Sequence, residues 1–362
     1  MALQTSIHSK EHPIHPPTLE WEELELGDLL GSGSFASVYT VKTSQPAEES
    51  DDESLPHEKD DDHTVATTSS MAEEGREMVL KCIKNNKIDH EDSSALMAAY
   101  GLKVEADILK SLPSHPNIIR LMGRSSMEKG GDPFKQFIVL ERVNGTLDEL
   151  LKEWRIPIST NSPSVKMFWK RTVKKRQDQA SRMNQIIIEL ASALKFLHEH
   201  GVLHRDVKPA NVGLAMDGSV RLLDFGCARR YRPKNPARKL TRAVGTARYM
   251  APEVSSDHYY GFPADVFSWA ILSWEVLTLK KPFAGMANSK DELKRLVQLH
   301  KRRPPLYIIA SPILRKLLQK SWDPLPNKRP DFAHILNELD AERKLFPKPK
   351  YDVRKKNSNK KQ

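Results

Sequence analysis

The chain has 362 residues, of which 39% are hydrophobic, and a formal charge of +10. This allows a sizeable core in one large domain or two lobes rather than a string of modules. The opening residues form no secretory signal, and the longest apolar stretch, near Ile186 to Leu197, is too short to span a membrane. Cys82 and Cys227 offer neither a bridge framework nor metal-ligand spacing, so a soluble protein of a reducing compartment is expected, cytoplasmic or nuclear, without zinc.

The charge is unevenly spread. Residues 44–77 hold twelve Asp and Glu against Lys59 and Arg76, a balance of −10 that leaves +20 for the rest. The basic surplus reads as solvated surface; nucleic-acid binding is disfavoured because the basic residues lack interleaved aromatics.

In chain order, residues 1–20 are rich in His and Pro and read as a flexible arm. From Leu26 to Lys42 the pattern is strand, glycine turn, strand: Leu29 and Leu30 enter Gly31-Ser32-Gly33-Ser34-Phe35, and Val38 to Val41 leave it. The acidic stretch offers Leu55, Val65 and Met71 as its only sizeable apolar residues, too few to offset the entropy of ordering it. It reads as a disordered, protease-sensitive insertion before the next strand, Met78 to Ile83. The spacing of Leu102, Ala106, Leu109 and Leu112 predicts a helix within residues 91–112, and Ile118–Met122 and Phe137–Val143 read as strands. After Gly145, helices are expected at Leu147–Trp154, Asn184–Glu199, Ala264–Leu279, Lys290–His300 and Pro312–Ser321, and residues 346–362 as a basic tail. Sheet first and helices second predicts an α+β fold in two lobes, residues 21–143 and 144–345.

Several residues in this frame can carry chemistry. A glycine turn between two strands suits a flap whose backbone amides lie over phosphates, although Gly31 and Gly33 could equally make a plain hairpin. Lys81 sits in an apolar strand, where an unpaired ammonium is costly to bury; Glu105 on the periodic helix is the natural partner, the alternative being a lysine that snorkels to solvent. The most specific segment is His204-Arg205-Asp206-Val207-Lys208-Pro209-Ala210-Asn211, followed thirteen residues later by Asp224-Phe225-Gly226. It puts a carboxylate, an ammonium and an amide in one loop, enough to orient a hydroxyl, neutralise a migrating phosphoryl group and hold a divalent cation. Asp224 adds a second oxygen ligand of the kind Mg²⁺ favours.

In these residues the sequence resembles the eukaryotic protein kinase family, over roughly Trp21 to Leu345. Gly31 to Val38 is similar to the glycine-rich loop, Met78 to Lys81 to the strand of the phosphate-binding lysine, and Glu105 to its helical partner. His204–Asn211, Asp224–Gly226 and Ala251-Pro252-Glu253 match the family's three central motifs. The resemblance implies a bilobal kinase fold, with a small antiparallel sheet and one main helix before a larger helical lobe. It further implies ATP and Mg²⁺ as cofactors: nucleotide at Leu30, Gly31, Ser32, Gly33, Ser34, Val38, Val79, Lys81, Leu140, Glu141 and Val143, and metal at Asn211 and Asp224. Asp206 would accept the substrate hydroxyl proton with Lys208 beside it, Asp265 would be the aspartate opening an apolar helix, and Arg329 would pair with Glu253. Lys208 and Gly245-Thr246 resemble the serine/threonine form, and Gly245 to Glu253 the tyrosine-kinase-like branch.

The sequence departs from the family at three points: Ala36 replaces the third glycine, Cys227 follows Asp224-Phe225-Gly226, and Gly213 stands where a leucine-like residue usually underlies adenine. The pocket floor is therefore expected to be open or filled from elsewhere. Arg205 implies an activation loop ordered by phosphate, with Thr241, rather than Tyr231, as acceptor for an upstream kinase or autophosphorylation. Residues 155–180 and the loop from Cys227 to Val244 each hold seven Lys and Arg, the first read as an insertion. The acidic strap folding over one of them, or an acidic protein substrate attracted to them, is weighed against independently solvated segments. Two rival functions are a pseudokinase scaffold, which the presence of Lys81, Asp206 and Asp224 opposes, and a small-molecule phosphotransferase, which Ala251-Pro252-Glu253 opposes.

Overall fold

The computed structural model describes residues 16–32, 36–42, 77–84, 93–126, 132, 135–156, 165–231, 245–255 and 260–345. The expectations for Gly33, Ser34, Thr241, the acidic strap up to residue 76 and the tail from residue 346 fall outside them. Two compact units emerge, one running to Ser111 and including Arg120–Arg142, the other holding Leu112–Ile119 and the chain from Val143 onward.

Among the described residues, the first unit is an antiparallel sheet with one α-helix. Strands β1 (Glu25–Ser32), β2 (Ala36–Lys42) and β3 (Met78–Ile83) precede helix α1 (Ser93–Ser111), and strands β4 (Leu121–Arg124) and β5 (Phe137–Glu141) follow it. The strand order is β1-β2-β3-β5-β4. The period-two alternation of a strand sorts the side chains onto two faces. Met78, Leu80, Cys82, Phe137 and Val139 form a core on one face, packed by Leu19, Trp21 and Leu24. The opposite face takes Val79 and Lys81, with register partners Leu140 and Ile138 on β5 and Thr40 and Val38 on β2.

Two expectations are corrected here. Thr18, read as part of a flexible arm, forms a parallel bridge with Arg124, and Leu19 is only 1% exposed, because the edge strand β4 leaves backbone groups that this segment satisfies. The strand read at Ile118–Met122 begins instead at Leu121, since Ile118 and Ile119 are drawn into the second unit: Ile118 bridges Leu222, and the Ile119 N–H donates to the Leu222 carbonyl.

The second unit is mainly helical. Helix α2 (Leu147–Arg155) starts at a capping box, Thr146 Oγ1 accepting the Glu149 N–H and Glu149 Oε2 accepting the Thr146 N–H. Helix α3 (Val165–Glu199) is far longer than the expected Asn184–Glu199. The segment read as an insertion supplies its first turns from Val165, a run without Gly or Pro and rich in Lys, Arg and Gln, which are good helix formers. Four short strands follow, β6 (Val202–Leu203), β7 (Val212–Leu214), β8 (Val220–Leu222) and β9 (Arg229–Arg230), in two pairs, β6 on β9 and β7 on β8. Helix α4 (Pro263–Thr278) is buried on nearly every side, as a helix apolar all round must be. Helices α5 (Lys290–Gln298), α6 (Pro312–Ser321) and α7 (Phe332–Leu345) complete the unit. The last had no counterpart in the sequence reading, although Phe332, Ile335, Leu339 and Glu342 recur on its buried side.

Candidate active site

Lys81 lies on the helix-facing side of the first unit's sheet. Its Nζ donates to Glu105 Oε2 at 2.6 Å, with Glu105 only 1% exposed, so the lysine is paired rather than snorkelling. Val38 faces Lys81 directly across β2 and β3, and Gly31 faces Val38 across β1 and β2. A Cβ added at Gly31 would meet nothing within 4 Å, and Leu30 is 46% exposed. Val79 and Leu140 pair in register and are buried. The Glu141 N–H donates to the Arg120 carbonyl, so that donor is already engaged.

The second unit holds the loop His204–Asn211. Asp206 Oδ2 accepts from Lys208 Nζ at 2.5 Å and from Asn211 Nδ2 at 3.0 Å. Its Oδ1 accepts from the Thr246 N–H at 2.8 Å and from the Thr246 hydroxyl at 2.9 Å. Four donors thus fix one buried carboxylate, matching the number of lone-pair sites it offers. Asn211 Nδ2 also donates to the Asp206 carbonyl, which sets the orientation of the amide and leaves Oδ1 as its acceptor side. Gly245 makes the close approach of Thr246 possible: it has φ +106°, and a Cβ there would collide with the Arg205 carbonyl.

The loop is strained, and a buried aspartate holds it. Arg205 has φ +73°, a left-handed conformation uncommon for a long side chain. Asp265, at the start of α4 and fully buried, accepts the His204 and Arg205 N–H groups, each at 2.9 Å, and His198 Nε2 at 3.0 Å. Burial alone would raise the Asp265 pKa, but His198 and the donors around His204 outweigh it and hold the carboxyl below its usual range. The His204 ring spans the loop, Nε2 at 3.0 Å from the Leu223 carbonyl and Nδ1 accepting the Asp206 N–H, an arrangement that fits a proton on Nε2. The Arg205 side chain donates to the Cys227 carbonyl and the Tyr260 hydroxyl.

Asp224 is left-handed at φ 59°. Burial, followed by the negative charges of Asp206 and Asp224, pushes the Cys227 thiol up, so it is a poor nucleophile at neutral pH. The space beside Gly213 is taken by its neighbours: an added Cβ would come within 2.8 Å of Val143 Cγ1 and 3.1 Å of a Leu223 methyl.

Away from this loop, Arg329 grips Glu253 through two parallel bonds of 2.7 and 2.9 Å, as the pairing expected from the sequence requires. Tyr249 donates to Glu275 Oε2, and Arg155 and Lys281 close on Glu275 Oε1, so this buried carboxylate ties the segment before Ala251 to α2 and α4. Sequence reasoning missed Glu275 and His198; each lies in a helix already assigned to the core, where a lone polar residue gives no signal of its partner.

The protein kinase domain family matches residues 63–339 of the chain. The dual specificity protein kinase shkC of Dictyostelium discoideum is 27% identical over 328 residues, covering 90% of this chain and 52% of that protein. The probable serine/threonine-protein kinase drkC of the same organism is 29% identical over 266 residues, covering 73% of this chain and 32% of its own. The serine/threonine/tyrosine-protein kinase HT1 of Arabidopsis thaliana is 33% identical over 156 residues, covering 43% of this chain and 39% of that protein. The chain therefore spans about half, or less, of the length of these relatives. Among the described residues, no helix is long and apolar enough to cross a membrane. With the match covering most of its length and the motif residues arranged as above, the chain belongs to the protein kinase family.

Proposed function

We propose that the chain is an ATP- and Mg²⁺-dependent kinase that transfers the γ-phosphoryl group to serine or threonine hydroxyls of protein substrates. The observation that carries this reading is the fixing of Asp206 by Lys208, Asn211 and Thr246. The incoming hydroxyl approaches Asp206, whose carboxylate orients it and accepts its proton. Lys208, on a flexible stem, is the donor that can leave Asp206 for the phosphoryl oxygens as negative charge gathers there. Lys81, held by Glu105, binds phosphate oxygens of the nucleotide, and the backbone at Gly31 admits it closely.

The donor set fits Mg²⁺. The Asn211 amide oxygen and the Asp224 carboxylate are hard oxygen ligands, the fixed amide has its oxygen free of the contacts made by its nitrogen, and a magnesium ion takes few protein ligands beside phosphate and water. When bound, the ion supplies neutralisation of phosphate charge.

Lys208 and Thr246 support serine/threonine acceptors through the resemblance of their positions. A second reading, dual specificity, is favoured by the relatives described as dual specificity and serine/threonine/tyrosine kinases. Phosphoamino-acid analysis of a mixed protein substrate labelled by the full chain with ATP and Mg²⁺ separates them: label confined to phosphoserine and phosphothreonine supports the first, and phosphotyrosine supports the second. No Mg²⁺-dependent label at all contradicts both.

A further inference from the structure

Tyr231 follows β9 and is joined to the catalytic loop from two sides. Its N–H donates to the Gly201 carbonyl at 2.8 Å, extending the β6–β9 pairing that leads straight into His204. Its ring meets Phe262 edge-on at 4.9 Å and 76°. It also rests directly on Gly261, where an added Cβ would lie 2.5 Å from the ring Cζ, 2.6 Å from Oη and 2.8 Å from Cε1. These distances are shorter than side-chain packing tolerates, so a residue larger than glycine at 261 would force the Tyr231 ring to shift from this seat.

From this seat the contacts run without a gap to the reacting carboxylate. Phe262 stacks on the His198 ring at 4.3 Å and 23°. His198 binds Asp265, and Asp265 holds the N–H groups of His204 and of the strained Arg205, next to Asp206. Gly261 and Phe262 lead directly into helix α4, with Phe262 at its N-cap, so whatever fixes them bears on Asp265, three residues after Phe262.

We infer that Tyr231 is a positioning residue: its ring, seated on Gly261 and Phe262, clamps the start of α4 to the strand entering the catalytic loop and so sets where Asp206 stands. The inference rests on the reading of Asp206 as the transfer centre. It requires the aromatic ring and not the hydroxyl, which distinguishes it from a role as a phosphate acceptor.

The test compares the full chain with Gly261→Ala, Tyr231→Ala, Tyr231→Phe and the Gly261→Ala/Tyr231→Ala double variant. Two quantities are measured, the kinetic constants for ATP and the hydrogen exchange of the His204 and Arg205 amides, with the α6 amides as a folding control. Gly261→Ala and Tyr231→Ala are each expected to lower kcat about tenfold, with KM for ATP within about twofold, and to speed exchange at His204 and Arg205 but not in α6. Tyr231→Phe should restore both readouts, and the double variant should be no worse than either single, because both remove one contact. Normal exchange and kcat in Gly261→Ala, additive losses in the double variant, or a Phe variant as impaired as Ala would overturn the inference. If the wild-type chain transfers no phosphate, the reading of Asp206 falls, while the exchange comparison still decides whether the ring sets the loop.

Discussion

Thr246 donates twice to the same oxygen of Asp206, from its backbone N–H at 2.8 Å and its hydroxyl at 2.9 Å. The residue before it, Gly245, provides the positive φ that brings the segment this close. A carboxylate held from both sides does not rotate when a substrate hydroxyl arrives, which is how positioning lowers a barrier.

Removing only the hydroxyl tests this contact. A hydrogen bond to a charged group is worth about 1.5–3 kcal/mol, so Thr246→Ala should reduce kcat by about 10- to 100-fold with the backbone bond intact, whereas Thr246→Ser should keep most of the rate. Steady-state kinetics on the three proteins check it; a Ser variant as slow as Ala would show that the methyl, and not the hydroxyl, matters.

Glu105→Ala removes the carboxylate that Lys81 meets at 2.6 Å. Breaking a buried pair costs about 3–5 kcal/mol, and the partial exposure of Lys81 puts the loss at about the lower figure. Glu105→Gln keeps an acceptor and should cost less. Denaturant unfolding gives the stability difference, and nucleotide titration should show weaker binding in both variants, most in Ala.

Gly213 should resist enlargement. Gly213→Leu would drive its side chain into Val143 and Leu223, with an overpacking cost of about 1–3 kcal/mol and about a tenfold rise in the dissociation constant for ATP. Adding Leu223→Ala returns the space and should recover part of the affinity. Calorimetric titration of the single and double variants measures both steps; tight binding by Gly213→Leu would mean that the floor is not where Gly213 lies.

Asp265 makes stability depend on pH with a definite sign. Its folded pKa lies below the ordinary value of 3.8, so its contribution is present above that value and is lost as pH falls through the lower, folded pKa. Wild type should therefore lose stability on acidification below about pH 4 more steeply than Asp265→Asn, measured by thermal melts across that range. Parallel acid limbs for the two proteins would contradict the assignment.

Much of the site was legible because it lies in contiguous motifs. Asp206, Lys208 and Asn211 share one loop, and a lysine buried in an apolar strand must have a carboxylate nearby, which pointed to Glu105. The strand Met78–Ile83 and helix α6 kept the bounds that their apolar runs and flanking residues gave. What escaped reading depends on contacts distant in sequence. Ile118 has the composition of a strand in the first unit, but Leu222 captures it. Pro17 and Leu19 look like arm residues until the β4 edge is there to receive them, with the Pro17 carbonyl accepting the Arg124 N–H and the Leu19 N–H donating to the Arg124 carbonyl. The basic run before Asn184, read as an insertion, carries helix from Val165, which its lack of Gly and Pro allows although its apolar spacing did not announce it. The Gly261 notch is silent in sequence because nothing there announces the ring that fills it.

The most direct test of the central claim compares phosphate transfer from labelled ATP by the wild-type chain and Asp206→Asn, at saturating Mg²⁺ and with a mixed protein substrate. Asparagine keeps the shape of the side chain but cannot accept the hydroxyl proton as a carboxylate does. Wild-type incorporation with at least a hundredfold loss in the variant, a size in keeping with the roughly 10²–10⁴-fold value of a positioned base, is the predicted result. Equal incorporation by the two proteins would contradict it.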